Sequence, residues 1–489
     1  MSEAIRFNYL LFSDIHLGAD LVQHVRPWTA ERLLKPARAD DDIPPMLDWY
    51  RENRDPDRPW CLVIAGDMVD FIGMSISPQQ DRPLRTALND EEEVHGLGSA
   101  PDHGALKMHA VARRHPTVFR ALARFVEAGN HLVVVRGNHD VDFHWDEVQK
   151  AFVEALASHL PTLSECETQT FASRIEFHPW FYYVHGLLYV EHGHQFDATC
   201  SYWHWLAPLS PSDPQRIHWT LSDWLLRHVV RPTPGLGADG HGENGMSHYL
   251  RFASASGLKG CLRLARRYLR TLRRIMRSGR EFWSEKAKAI RLEHERRMDE
   301  IARGMRVSLE HVREIAALWP APVSRGRLPV LRIAFLDRPL LVGVWLSWVA
   351  ALAVLGLPMS GLLLYAAASG LLVASYLRWS TRKRRKEVDP IPVMKRAAKR
   401  IAELLPTRFV VMGHTHDPVV ETLSDRATYI NLGAWHVDDL EHEGGEASRT
   451  HLVLRWAEGA HRAEFCRWFP GQGPKVSEAG EIRASFQSK

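Results

Sequence analysis

Acids, an amide and histidines follow the ends of five short apolar runs in this chain of 489 residues. In the first, LLFSDIHLG (10–18), Asp14 and His16 stand two apart after a strand-like run, so their side chains would point to the same side. The other four runs are VIAGDMVD (63–70), VVVRGNHD (133–140), YVEHGH (189–194) and VVMGHTH (410–416). Carboxylate, amide and imidazole groups are the ligands that divalent metal ions take, so the pattern predicts a metal centre.

The mixed oxygen and imidazole ligands suit a centre of two ions. Two divalent ions about 3.5–4 Å apart can share one carboxylate, bridge a hydroxide and hold a phosphate for in-line attack. No residue pattern indicates a covalent nucleophile, so we expect the bridging hydroxide to attack.

The five motifs, in order, resemble those of the calcineurin-like metallophosphoesterases: D-x-H, G-D-x-x-D, G-N-H-D, an H-G step and G-H-x-H. The resemblance covers residues 6–200 and 393–470 and implies a metal-dependent phosphoester hydrolase. It implies that one ion takes Asp14, His16, Asp67 and His416, and that the other takes Asp67, Asn138, His192 and His414. Asp67 would bridge the two ions. Mn²⁺ is the expected metal, with iron or zinc as alternatives, because ligand type alone does not separate borderline metals.

The resemblance also suggests residues that act beside the ions. His139 would protonate the leaving oxygen or bind a phosphate oxygen, with Asp140 as its orienting carboxylate. Asp70 would support these groups from behind, and His194 would touch substrate. Arg136 is either a phosphate clamp or part of a surface salt bridge, and we favour the salt bridge.

The alternation of strands and helices predicts an α/β sandwich with its ligands at the carboxyl ends of strands. The resemblance implies the four-layer αββα form, with a large helical insertion that contains a hydrophobic hairpin. We expect a long loop over 20–60, an irregular insertion over 73–104 with a solvated acidic run at 90–93, and helices over 106–127 and 145–159. The expected units are the core in two parts (1–195 and 388–475), a Trp-rich and basic insert or lid (196–330), the hairpin (331–387) and a polar tail (476–489).

Two features of the insert have several interpretations. Tyr202, Trp203, Trp205, Trp219 and Trp224 suit a lid over an apolar pocket, a membrane-interface belt or an aromatic core. The stretch 261–280 carries eight arginines and no acid, with Leu262, Ala265, Leu269, Leu272 and Met276 at helical spacing. That stretch predicts an amphipathic helix that lies on an anionic leaflet, contacts nucleic acid or packs on the domain.

The apolar segment from Pro339 to Leu377 contains no charged residue and is interrupted only by GLPMS (356–360). It predicts two helices of about 17–18 residues, at the short end of what spans a bilayer. Basic residues flank both ends, which places both ends in the cytoplasm. Ligands on either side of the segment must meet in one site, so it must cross an even number of times. A re-entrant hairpin and a buried soluble hairpin are the alternatives.

Composition is that of a folded protein, with 45% hydrophobic and 25% charged residues and a net charge of +4. The five cysteines are scattered and indicate buried free thiols in a reducing compartment. No signal peptide is indicated, because the first strand begins at about Ile5. We therefore expect a protein of the cell membrane whose active site faces the cytoplasm.

The expected substrate is an amphiphilic or lipid-linked phosphate ester at the cytoplasmic leaflet. The opening S-D-I-H-L-G and the insert resemble UDP-2,3-diacylglucosamine hydrolases, which are Mn²⁺-dependent pyrophosphatases, although this chain is longer, has the hairpin, and has His139 where those enzymes have arginine. A nuclease of the DNA-repair exonuclease type ranks second, but a membrane hairpin makes a nucleic-acid partner unlikely to fit. Dephosphorylation of proteins or small phosphoesters stays open. A non-catalytic scaffold ranks last, because it predicts eroded ligands and none is eroded. Oligomeric state is left open.

Overall fold

A computed structural model describes residues 7–21, 39–78, 83–162, 164–232, 257–333, 337–435 and 449–481. Two sheets form the centre of the protein. The first has seven strands in the order β12-β11-β10-β1-β2-β3-β4, and the second has five in the order β5-β6-β7-β9-β8. The strands are β1 Asn8–Phe12, β2 Trp60–Ala65, β3 His131–Val135, β4 Ile175–His178, β5 Phe181–Val184, β6 Leu188–Glu191, β7 Phe409–Met412, β8 Val419–Ser424, β9 Ala427–Asn431, β10 Thr450–Ala457, β11 Ala460–Phe469 and β12 Gly473–Glu481.

The helices fall into those of the core and those of the insert. The first group comprises α1 Ala39–Glu52, α2 Asp90–His95, α3 Pro101–Arg114, α4 Pro116–Glu127, α5 Asp146–Ala157 and α6 Glu165–Ala172. The second comprises α7 Leu221–Leu225, a π-helical turn Leu226–Val230, α8 Gly257–Glu281, α9 Lys286–Gly304, α10 Leu309–Ala316 and α11 Arg327–Ile333. The hairpin helices α12 Asp337–Val354 and α13 Met359–Val388 follow, and α14 Ile391–Leu404 leads back to the core.

The layers follow from which faces are apolar. Strands β1, β2 and β3 run parallel and are buried almost throughout, as expected of strands covered on both faces. Between the sheets, Leu11 and Val63 pack in one cluster with Val190 and Val411. Helices such as α4 cover the outer face of the first sheet, and α14 packs against the second. The fold is the predicted α/β sandwich with a helical insertion.

Three parts of the core differ from the sequence-based expectation. Helix α1 lies within the predicted loop 20–60. The single helix predicted over 106–127 is two helices, because Pro116 has no N–H to continue the first and His115 leaves helical geometry at φ −121° and ψ 53°. The predicted polar tail is wrong as far as residue 481, because β12 pairs antiparallel with β11; residues 482–489 lie outside the described part.

The acidic run at 90–93 is not a solvated loop. It forms α2, whose first turn is capped by the side chain of Asn89. Glu92 is buried and accepts hydrogen bonds from Arg216 of the insert, at 2.7 Å from Nε. Arg227 pairs with Glu91 in the same way, whereas Asp90 and Glu93 are exposed to solvent, as predicted.

The insert packs its aromatic residues inward. Tyr202 and Trp205 are buried, so this part of the Trp-rich region is core. Helix α8 has the predicted amphipathic character, and its inner face agrees in part with the prediction. Leu272 and Met276 pack inward as predicted, and Leu264, Tyr268 and Ile275 join them. The predicted apolar positions Leu262 and Leu269 are 52% and 43% exposed. Of the cysteines, all five are free thiols, but Cys166 is exposed and Cys261 is half-buried, contrary to expectation.

The apolar segment forms the predicted pair of helices, joined by residues 355–358. Trp345 of α12 donates a hydrogen bond from Nε1 to Ser369 Oγ of α13 at 2.9 Å. Most large apolar side chains of the pair face outward; Leu364 and Leu372, for example, are 74% and 73% exposed. Within the described residues, one stretch, Met359–Ser380, is long and apolar enough to cross a bilayer, and Leu340–Val354 is a shorter apolar helix.

Candidate metal centre

The metal-ligand candidates follow the carboxyl ends of parallel strands in both sheets. Asp14 and His16 follow β1, Asp67 follows β2 and Asn138 follows β3. From the second sheet, His192 follows β6, and His414 and His416 follow β7. Because β1–β3 and β6–β7 are parallel pairs, these loops meet at one end of the sandwich.

The backbone at these loops is strained in a way that marks functional sites. Asp14, His16, Asp67, His414 and His416 have positive φ angles of 55°, 52°, 52°, 70° and 62°. They are five of the eight non-glycine residues with positive φ in the described ranges. Such conformations persist where the surrounding structure forces them, which is common at active sites.

One group of side chains gathers around Asp14. His416 Nε2 lies 3.3 Å from Asp14 Oδ1, and His16 Nε2 lies 3.4 Å from His416 Nε2. Ligand atoms of these three residues all lie within 4.8 Å of one another. Two imidazole nitrogens facing a carboxylate oxygen at this spacing can hold a divalent ion.

A second group gathers around Asp67. His192 Nε2 lies 3.1 Å from Asp67 Oδ2, and the same oxygen lies 3.8 Å from His16 Nε2 of the first group. Asp67 thus lies between the two groups, as a shared carboxylate must. His192 donates its Nδ1–H to the carbonyl of Ala65 at 2.9 Å, so in the neutral ring the lone pair is on Nε2, towards Asp67.

Asn138 is the strongest sign that this pocket is built for a cation. Its side chain is buried, yet neither its amide oxygen nor its nitrogen has a hydrogen-bond partner among the described residues. Buried amides are nearly always hydrogen-bonded, so an orphaned one at a cluster of acids and histidines fits a metal ligand. The donor set therefore fits two divalent ions.

His414 faces a carboxylate that the sequence analysis missed. Its backbone N–H donates to Asp14 Oδ2 at 3.1 Å, and its Nε2 lies 3.3 Å from Asp197 Oδ2. Asp197 stands just beyond β6, in the segment that also carries His192. Its position in the sequence, five residues after His192, is the feature from which its place near the site could have been inferred. The contact orients the imidazole ring of His414.

The electrostatics keep the carboxylates ionised. Burial alone would raise the pKa of Asp14, but its contact with His416 and the charge of His192 lower it to about 2. Burial also opposes ionisation of Asp67, yet His192 and His139 hold its pKa well below the ordinary value. Both acids are therefore negative at neutral pH, as metal binding requires.

The carboxylate that holds His139 is Asp70, and the prediction that Asp140 orients it is wrong. His139 Nδ1 donates to Asp70 Oδ1 at 2.8 Å, and Arg231 of the insert donates to Asp70 Oδ2 at 2.9 Å. Asp140 instead accepts the backbone N–H groups of Met68 and Gly137, at 2.8 and 2.5 Å. It braces the two loops that carry Asp67 and Asn138.

The surroundings of His139 favour its protonated form. Burial disfavours the imidazolium, but the charges of Asp70 and Asp67 outweigh burial and raise the pKa of His139 to about 10. Its backbone N–H also donates to Asp67 Oδ1 at 2.8 Å. A cationic imidazole is thus held beside the metal-ligand groups.

His194 and Arg136 are both buried and do not lie at the surface. The His194 ring lies 4.2 Å from that of Trp205 and 5.5 Å from that of His192. Arg136 is buried, stacks over Trp205 at 4.1 Å and donates to its carbonyl at 2.7 Å. No carboxylate in the described ranges lies within 4.0 Å of Arg136. The favoured surface salt bridge is therefore wrong; Arg136 instead joins the core to Trp205 of the insert.

Comparison with known proteins agrees with this geometry. The calcineurin-like phosphoesterase family matches residues 7–261, more than half of the chain. This protein belongs to that family. Its members typically bind two divalent metal ions and hydrolyse phosphoesters. Among curated proteins, none matches the chain.

Proposed function

We propose that this protein is a membrane-associated phosphoester hydrolase that acts on an amphiphilic or lipid-linked phosphate at the cytoplasmic leaflet. The observation that carries the hydrolase part is the orphaned amide of Asn138 among ionised acids and imidazoles. The observation that supports the membrane part is the outward-facing apolar hairpin, inserted between the halves of the same site.

In this proposal the centre holds two divalent ions, most simply Mn²⁺, with iron or zinc as alternatives. Asp14, His16 and His416 would hold one ion, and Asn138, His192 and His414 the other, with Asp67 shared. Bound there, the ions would supply the positive charge that activates water and stabilises phosphate oxygens. The carboxylates are ionised in advance, so the protein meets that charge without reorganisation.

His139 would act on the substrate itself. Asp70 keeps its ring oriented and protonated, so it would donate a proton to the leaving oxygen or a hydrogen bond to a phosphate oxygen. Arg231 would hold Asp70 from the opposite side and so link the insert to this step.

The hairpin would anchor the protein in the membrane. Burying exposed leucines in hydrocarbon is favourable by about 1.5–3 kcal/mol for each full side chain. Helix α8 contacts α11, which contacts the first hairpin helix, and α8 exposes arginines that include Arg266, Arg270 and Arg273. An anionic leaflet attracts such residues by about 1 kcal/mol each. The basic flanks favour the cytoplasmic side for both ends of the hairpin, and so for the site, in this proposal.

A substrate screen on detergent-solubilised protein tests the proposal. With Mn²⁺ present, it would compare UDP-diacylglucosamine, phospholipids, p-nitrophenyl phosphate, bis-p-nitrophenyl phosphate and single-stranded DNA, with Asp67→Ala as the blank. We expect turnover of lipid phosphates that the blank lacks. Cleavage of DNA with inert lipids would favour the nuclease that the α8 arginines would also suit. No turnover of anything by metal-loaded protein would overturn the enzyme and revive the scaffold.

A further inference from the structure

We propose that Glu91, His95 and His228 form a separate site for one borderline divalent ion such as Zn²⁺, between the core and the insert. None of the three belongs to the five motifs of the candidate centre. One ligand atom from each residue lies within 4.8 Å of the others. Two imidazoles and one carboxylate form a common zinc ligand set, with water at the fourth position.

The three side chains converge from two elements. Glu91 and His95 are four residues apart on α2, so they project from the same face of that helix. His228 comes from the π-helical turn Leu226–Val230 of the insert, and its Nε2 lies 3.3 Å from Glu91 Oε1. The His95 and His228 rings are 4.7 Å apart. Single π-helical turns frequently occur at functional sites.

The hydrogen bonds of His228 leave one ring nitrogen suited to a cation. Its Nδ1 lies 3.1 Å from the carbonyl oxygen of Trp224, which can only accept, so Nδ1 carries a proton. Its Nε2 is buried and makes no hydrogen bond within the described residues. In the neutral ring, the Nε2 lone pair therefore faces a carboxylate oxygen at 3.3 Å. Two lone pairs that face each other repel, and a cation bound by both atoms would remove that repulsion.

The other two ligands are in the protonation states that a metal needs. Burial opposes the ionisation of Glu91, but the charge of Arg227 holds its pKa well below the ordinary value. Burial lowers the pKa of His95 to about 4, so this imidazole is neutral at pH 7. Ionised carboxylate and neutral imidazole are the forms that bind metal.

Two arginines near the cluster oppose a cation and must be weighed. Arg227 donates from Nε to Glu91 Oε1 at 2.8 Å, and the charge of Arg274 also acts on His95. A carboxylate has about four lone-pair positions on two oxygens, so one hydrogen bond leaves capacity for a metal. A hydrogen bond to a ligating carboxylate also orients it. The alternative is that His228 and Glu91 form an ion pair with no metal between them. The two alternatives differ in the amount of metal that the protein binds.

The ion would fasten the insert to the core beside the catalytic groups. Arg227 also donates to the carbonyl of Gly96 at 2.7 Å, so the same turn of the insert already grips the end of α2. Arg231, which holds Asp70, follows His228 by three residues. The proposed role is structural: the ion would hold this turn in the position from which Arg231 reaches the centre.

Metal content tests the site without any assay of activity. Full-length protein purified with Zn²⁺, then dialysed against metal-free buffer, would be analysed for zinc per chain by mass spectrometry. The variants are His228→Ala and His95→Ala, each in the Asp67→Asn background as well as in the wild-type background. His159→Ala is the matched control, because this half-buried histidine belongs to none of the ligand groups. Thermal unfolding would show that each variant is folded.

We expect each cluster variant to lose one equivalent of zinc in both backgrounds, and the control to lose none. The loss in the Asp67→Asn background shows that the ion is separate from the candidate centre, whatever that centre binds. If folded His228→Ala and His95→Ala hold as much zinc as their parents, the site does not exist and the cluster is an ion pair. A failed hydrolysis screen would leave this result unaffected.

Discussion

Replacing Asp70 by asparagine tests whether His139 supplies a proton to the leaving group. The amide keeps the shape of the carboxylate 2.8 Å from His139 Nδ1 but removes its charge. At an effective dielectric constant of about 20, that charge contributes at most about 6 kcal/mol to the imidazolium. The rise in the pKa of His139 from 6.5 to about 10 is a net effect: burial lowers the pKa, and the charges of Asp70 and Asp67 together raise it.

The expected loss follows from these values. If the pKa of His139 returns to its ordinary value near 6.5, about 3% of the protein carries the proton at pH 8. Protonation alone then costs about 30-fold in kcat, and loss of orientation brings the total to about 10²–10³-fold. Asp20→Asn is the control, since this acid pairs with Arg114 near the surface at 2.8 Å.

Two substrates separate the two roles of His139. An alkyl phosphodiester has a poor leaving group that needs a proton, whereas p-nitrophenolate leaves without one. A proton donor predicts that Asp70→Asn lowers kcat far more for the alkyl ester than for bis-p-nitrophenyl phosphate. Equal losses on both would assign His139 to phosphate binding. A loss below threefold on both, in a variant as stable as wild type, would refute any catalytic role for the Asp70–His139 pair.

Three further perturbations have defined outcomes. Arg231→Met removes a charged hydrogen bond to Asp70 worth about 1.5–3 kcal/mol, so kcat should fall about 10–100-fold. Arg267→Met, the control, loses a hydrogen bond to the carbonyl of Pro232 and should keep a kcat near that of wild type. Equal kcat values for the two variants would contradict the link from the insert to the site. His451 is buried and accepts from Tyr50 at 2.7 Å, and burial lowers its pKa from 6.5 to about 4. Its stabilising contribution is complete above pH 6.5, and up to about 3 kcal/mol of it is lost as the pH falls towards 4. The free energy of urea unfolding of His451→Gln should therefore depend less on pH between 6.5 and 4 than that of wild type. An identical pH dependence of the two proteins would refute this. The double variant Leu364→Glu, Leu372→Glu places two charges on the exposed face of the hairpin, and each charge costs about 2.5–3.5 kcal/mol in a bilayer. This variant should move from the membrane fraction to the soluble fraction, whereas the control Leu328→Glu in α11 should not. An unchanged membrane fraction would exclude the hairpin as an anchor.

Sequence patterns predicted the parts of this protein that depend on short segments. Strand β7, Phe409–Met412, contains the apolar start of the predicted run at 410–416, because a short apolar run followed by glycine and histidines has few alternatives. The loops after β1, β2 and β3 meet for a similarly simple reason, since parallel neighbours end at the same edge. The hairpin helices follow from uniform hydrophobicity broken by a Gly-Leu-Pro turn.

Contacts between distant segments were not predictable in this way. Asp140 is next to His139 in sequence, yet Asp70 from the neighbouring strand end holds the imidazole. The prediction of a solvated acidic run is wrong for Glu91 and Glu92, because their partners, Arg227 and Arg216, stand more than 120 residues later. Strand β12 has a polar sequence that does not indicate a strand, and it becomes recognisable only through its pairing with β11. These three errors concern side chains or a strand whose partners lie elsewhere in the fold.

Metal-dependent hydrolysis by the Asp67 variant is the most direct test of the proposed centre. Detergent-purified protein would be stripped of metal and titrated with Mn²⁺, and hydrolysis of bis-p-nitrophenyl phosphate would be followed for wild type, Asp67→Asn and Asp417→Asn. Asp417 is an exposed acid next to His416 and serves as the control. We predict that activity requires the metal, survives in Asp417→Asn and falls at least about 10³-fold in folded Asp67→Asn, which lacks the shared carboxylate. Activity without metal, or full activity in Asp67→Asn, would contradict the dinuclear centre.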